Sequence, residues 1–132
     1  MEVHMKKRCI SAYVENQIGV LAKISGLFAG KNYNLDTLTV GETEDSTMSR
    51  MTIELTCDDL TYEQIIKQLN RSVEVIKVID FTDMPIMKKE LLFIKVNSCK
   101  EADKQEIFRI AQTFELLVVD YNRKSVLVQC VK

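Results

Sequence analysis

At 132 residues, with a formal net charge of −1, 46% hydrophobic and 28% charged residues, the chain can bury the core of one domain or two small ones. It generates no field strong enough to draw it to nucleic acid or to an anionic membrane. Cys9, Cys57, Cys99 and Cys130 lie too far apart for a zinc site or a C-x-x-C pair, and no run has the length of a membrane span or reads as a signal peptide, so free, mostly buried thiols in a reducing cytoplasm are expected.

The first element is a strand: Ile10, Ala12 and Val14 alternate with Ser11 and Tyr13, which predicts one buried face. From Gly19 the period lengthens. Val20, Leu21, Ile24, Leu27 and Phe28 form an apolar helical stripe, and Gly30, Lys31 and Asn32 end it, glycine and asparagine being residues that tolerate a left-handed conformation. Residues 35–40 read as a second strand, followed by the polar loop GETEDSTMS. Met51, Ile53, Leu55 and Cys57 then alternate with Thr52, Glu54 and Thr56, the clearest strand pattern in the chain.

Thr61 with Gln64 resembles a capping box, and Tyr62, Ile65, Ile66 and Leu69 follow at helical spacing. Residues 73–81, rich in β-branched side chains, supply a fourth strand. The order β-α-β-β-α-β is the ferredoxin-like unit.

The single proline, Pro85, marks a linker over 83–89. Beyond it the pattern restarts: a strand over 91–96, a helical face of Ile107, Ile110, Ala111 and Phe114, and strands over 116–119 and 126–131 joined at DYNRKS. The expected fold class is therefore α+β, one complete ferredoxin-like unit over 1–82 (ordered core about 7–80) and a second, incomplete βαββ unit over 90–132. An unfinished sheet leaves an exposed edge and an uncovered apolar face. The chain is accordingly expected to be a shortened form, to rely on a partner, or to have a poorly ordered C-terminal half.

The catalytic inventory is poor. The only histidine, His4, lies in the N-terminal tail, the carboxylates form no convincing pair, and no phosphate-binding glycine motif is present. The Gly-Lys step in GLFAGKN falls at a helix C-terminus, the wrong end for phosphate. Met48 and Met51 read as loop and core residues.

Binding has better material. The loop after the first strand delivers a helix N-terminus, whose unbonded N–H groups and dipole suit a carboxylate. Gly19 allows close approach to that backbone, Asn16 offers a donor and an acceptor, and Asn34 adds a second polar group. Turn chemistry explains the same residues: an Asx turn at Asn16, a tight loop at Gly19, a strand start at Asn34.

Separated motifs then agree with one family. ENQIGVLAKISGLFAGKNYNLDTLTVGETEDSTMSRMTI and, further on, EQIIKQLNRSVEVIKV resemble the regulatory (small) subunit of acetohydroxyacid synthase, also called acetolactate synthase. The matching stretches are Asn16 through Leu21, Gly26 through Phe28, Tyr33 through Leu35, Leu38 through Val40 and Ser49 through Ile53. The likeness is close over about residues 7–80. One departure is Asn32, where the family commonly has glycine; asparagine also adopts the left-handed turn.

The resemblance implies an ACT domain that forms a homodimer. It implies a non-catalytic regulatory subunit that activates a separate large subunit and confers feedback inhibition by valine in branched-chain amino-acid biosynthesis. Thiamine diphosphate, Mg and FAD would belong to the large subunit only. Carried over by position, Asn16 and Gly19 contact the effector from one protomer and Asn34 from the other. The backbone around Ile18, Val20 and Leu21 holds its carboxylate, and Leu35 is among the apolar neighbours of its side chain. The alternative is a free-standing ACT-type amino-acid sensor controlling another enzyme or regulator.

Overall fold

In a computed structural model of the chain, residues 4–30 and 33–132 are described; Lys31 and Asn32, assigned above to the end of the first helix, lie outside them. The chain divides into two compact units, Met1–Ile86 and Met87–Lys132.

The first unit runs β1 (Lys6–Glu15), α1 (Val20–Gly30), β2 (Leu35–Glu42), β3 (Met48–Cys57), α2 (Asp59–Arg71) and β4 (Val75–Asp80). Its sheet has the order β2-β3-β1-β4 and every pairing is antiparallel. The ferredoxin-like expectation is met. Alternation along β3 buries Met51, Ile53, Leu55 and Cys57, and these meet Ile10, Ala12 and Val14 of β1 beneath Val20, Ile24 and Phe28 of α1 and Tyr62, Ile65 and Leu69 of α2. Leu38 and Val40 lie in register with the core residues Ile53 and Met51, yet each stays about 40% exposed. The free edge of β2 is thus apolar on the side that faces the core in its neighbour.

Three local readings change. β1 is buried on both faces rather than one: Ser11 is fully enclosed, because Arg50 Nε–H donates to its Oγ at 2.8 Å and Phe81 lies over that guanidinium. β4 begins at Val75, two residues later than expected, because Val75 N–H turns back to Ser72 O. The cap of α2 is Asp58, not Thr61: the Asp58 carboxylate accepts from Thr61 N–H at 3.2 Å, which puts Thr61 inside the first turn.

That bond holds the Asp58 carboxyl below the usual carboxylate range. A depressed folded pKa contributes stability that is present above the unfolded value, about 3.9, and is lost as pH falls through the folded value. Asp58→Ala is therefore expected to lower the melting transition of the first unit at neutral pH and to have little effect on it at about pH 2. An undiminished difference in acid, by circular dichroism, would show that the cap does not act through its charge.

The second unit contains β5 (Leu91–Val96), α3 (Glu101–Thr113), β6 (Leu117–Tyr121) and β7 (Val126–Val131), in sheet order β5-β7-β6. Asp103 accepts from Lys100 N–H at 2.9 Å and caps α3. β7, the central strand, buries Val126 and Val128, while Leu91, Leu92, Phe93 and Ile94 along the free edge of β5 are all exposed. The α3 face departs from expectation. Ala111 is buried, but Ile110 and Phe114 are 43% and 70% exposed, because three strands and one helix supply nothing to cover them. The second helix and fourth strand of a complete unit are absent among the described residues.

Candidate effector site at the start of the first helix

The end of β1 delivers the chain into α1 through Asn16, Gln17, Ile18 and Gly19, all exposed. Gly19 has φ +87°, a left-handed conformation that costs an ordinary L-residue roughly 1–2 kcal/mol. This is a backbone requirement that the sequence pattern alone did not reveal. Lys23 N–H donates to Gly19 O at 3.0 Å, so the N–H groups of Leu21 and Ala22 precede that helical bond. They form the positive end of the helix. Val20 is buried and anchors the turn in the core, whereas Ile18 projects wholly into solvent and Leu21 is 47% exposed.

Asn16 ties this loop to the β2–β3 connection. Its backbone N–H donates to Thr47 O at 2.8 Å, and its side-chain Nδ2 donates to Ser46 O at 3.0 Å and Glu42 Oε1 at 3.3 Å. These are long-range bonds to the β2–β3 connection rather than the Asx turn expected at Asn16, and they engage the amide donor, not Oδ1. Lys23, in the first turn, pairs with Glu74 at 2.6 Å and holds that carboxyl below its usual range. The connecting loop is internally bonded: Asp45 accepts from both the N–H and the hydroxyl of Thr47. The arrangement is suited to holding a small carboxylate beside an exposed apolar surface. It contains no nucleophile–base pair, and the described residues include no group of three or more metal-ligating side chains.

Asn34 and Leu35 lie elsewhere. They open β2, where Leu35 is in register with Leu55 and Lys6 with Cys57, at the opposite end of the sheet from Asn16. Ten residues of β1 separate the two ends, about 30 Å at ~3.3 Å per residue. Within one chain Asn16, Ile18, Gly19, Val20 and Leu21 come together; Asn34 and Leu35 do not join them. Leu35 is half-buried against the core and Asn34 is exposed.

Residues 10–77 match the family model described as AHAS small subunit-like ACT domain, and residues 89–132 match that of the small subunit of acetolactate synthase. The chain belongs to the acetolactate synthase small-subunit family. Among its relatives, the small subunit from Aquifex aeolicus is 45% identical over 116 residues, covering 88% of this chain and 60% of that protein. The Bacillus subtilis small subunit is 41% identical over 124 residues, covering 93% and 72%. The crystal structure of the acetolactate synthase small subunit from Thermotoga maritima superposes with a TM-score of 0.85 at 35% identity, over 96% of this chain and 78% of that one. The ACT domain of a GTP pyrophosphokinase from Chlorobium tepidum, at 14% identity and TM-score 0.51, shares the fold of the first unit. Members of the small-subunit family carry the ACT domain as a regulatory module, and a small subunit implies a catalytic large one. No helix among the described residues is long and apolar enough to cross a membrane.

Proposed function

We propose that the chain is the non-catalytic regulatory subunit of a cytoplasmic acetohydroxyacid synthase, activating the large subunit and conferring feedback inhibition by valine. The thiamine diphosphate, Mg and FAD of the reaction then reside in the large subunit. One observation carries the dimeric part of this reading: the free edge of β2 exposes Leu38 and Val40, and a long apolar edge is a template for strand pairing. Antiparallel pairing of β2 with β2 of a second copy, about a twofold axis through its middle, sets the start of one strand beside the end of the other. Glu42 ends the strand and is bonded to Asn16, so Asn34 of a second copy arrives at the Asn16–Gly19 end. The pairing would close the 30 Å gap that separates the two half-sites in a single chain. Valine bridging them would place its carboxylate at the N–H groups of α1 and its side chain against the neighbouring copy. Its binding would thereby be coupled to pairing, with coupling of about 1–3 kcal/mol typical of such linkage.

Calorimetric titration tests this with wild type, Gly19→Asn and Gly19→Asp. Both substitutes tolerate the left-handed backbone, and only aspartate adds a negative charge facing the effector carboxylate. Gly19→Asp is expected to bind valine roughly tenfold more weakly than Gly19→Asn. Absence of heat from wild type with valine, leucine and isoleucine would overturn the sensor reading. Mixing with a cognate large subunit separates the alternative: an unchanged rate and unchanged valine response would favour a free-standing sensor.

A further inference from the structure

A cleft of about 320 Å³ opens in the first unit where β2 begins and β3 ends, with Met5, Tyr33, Asn34, Leu55, Asp58 and Thr61 among its walls. Asn34 is the residue that the proposed function assigns to the far half of the effector site, so the cleft adjoins the place where that effector would lie. Its volume is at the lower end of the range of small-molecule sites, and polar and apolar residues share its lining about equally. Tyr33, partly buried against the core, forms a fixed wall with Leu55 behind it in the core; Met5 is 57% exposed and has the flexibility to adapt to different aliphatic shapes.

The charge balance favours an ammonium. Asp58 is held in its ionised form by Thr61, and that hydrogen bond occupies only one of its carboxylate oxygens. The nearby Arg8 is already ion-paired with Asp59 and stacked over Tyr62.

We propose that this cleft is the specificity pocket of the effector site: the aliphatic side chain lies on Met5 and Tyr33, and the ammonium faces Asn34 and Asp58. Thr61, half-buried at the first turn of α2, sets the room available. This inference rests on the regulatory reading above and adds to it the residues that choose among branched-chain amino acids.

The test titrates valine, leucine and isoleucine into the full chain, as wild type, Thr61→Met, Met5→Ala and Asn16→Ala. Thr61→Met fills the cleft and is expected to weaken valine by roughly tenfold and leucine further, with an unchanged circular dichroism spectrum. Met5→Ala enlarges it and is expected to shift preference from valine toward leucine. Wild-type binding lost in Asn16→Ala but unaltered in both cleft variants would overturn the pocket and leave the regulatory reading intact. Silence of wild type with all three amino acids would instead remove the reading on which the pocket rests.

Discussion

Val40→Lys is expected to leave a folded monomer that binds valine poorly. Val40 is in register with Met51 but 40% exposed, and it lies outside the buried core cluster. A lysine there can extend into water with little loss of packing. The same ammonium on a free edge opposes strand pairing, because an apposed copy would have to desolvate it. Separation of the copies leaves the start of α1 without Asn34 of its neighbour. The carboxylate cradle survives, but the aliphatic side chain of the effector is no longer enclosed. Loss of that burial, about 1.5–3 kcal/mol, corresponds to roughly 10- to 150-fold in Kd. Sedimentation equilibrium reports the mass, calorimetry the affinity, and circular dichroism the retained fold. A Val40→Lys chain that remains dimeric and binds valine as wild type does would exclude pairing through β2.

The parts of the fold that were legible in the sequence are those where neighbours in the chain decide burial. β3 is the clearest case: its period-two pattern names Met51, Ile53, Leu55 and Cys57, and all four are buried. Ser11 was illegible for the opposite reason. Its cover comes from Arg50, 39 residues away, and from Phe81 after β4, which no local window contains. The α2 cap was misplaced by three residues because Thr61 with Gln64 and Asp58 with Thr61 both offer capping chemistry; the aspartate lies nearer the observed start of the helix.

The candidate site divides in the same way. A glycine before a helix suggested close approach, but only the fold supplies φ +87°, which makes Gly19 a conformational requirement as well. Asn16 and Asn34 lie 18 positions apart in sequence, and nothing in that spacing reveals that a full-length strand separates them. Reading the first strand as 10–14 rather than Lys6–Glu15 understated the gap. Once the strand is given its length, a single chain holds Asn16 and Asn34 at opposite ends of the sheet, and the proposed pairing through β2 is what would bring them together.

The second large effect concerns two isoleucines that a hydrophobicity pattern treats alike. Ile53 is fully buried, flanked by Ile10 and Leu38 in register and packed under both helices. Ile53→Ala is expected to cost about 2–5 kcal/mol, the lost transfer energy plus that of a cavity the rigid sheet cannot close. A unit of this size has roughly 4–12 kcal/mol to lose, so the substitution brings it near the edge of folding. Ile110 lies on the α3 face and is 43% exposed. Removal of its outer atoms leaves no enclosed cavity, and Ile110→Ala is expected to cost under about 1 kcal/mol. Since the chain has two units, one melting temperature does not report both. Amide hydrogen exchange resolves them: β1 and β3 amides should lose protection in Ile53→Ala while those of β7 keep theirs. A cost at Ile110 equal to that at Ile53 would mean that another surface covers α3 in solution, and that the apolar side of the second unit is an interface rather than an open face.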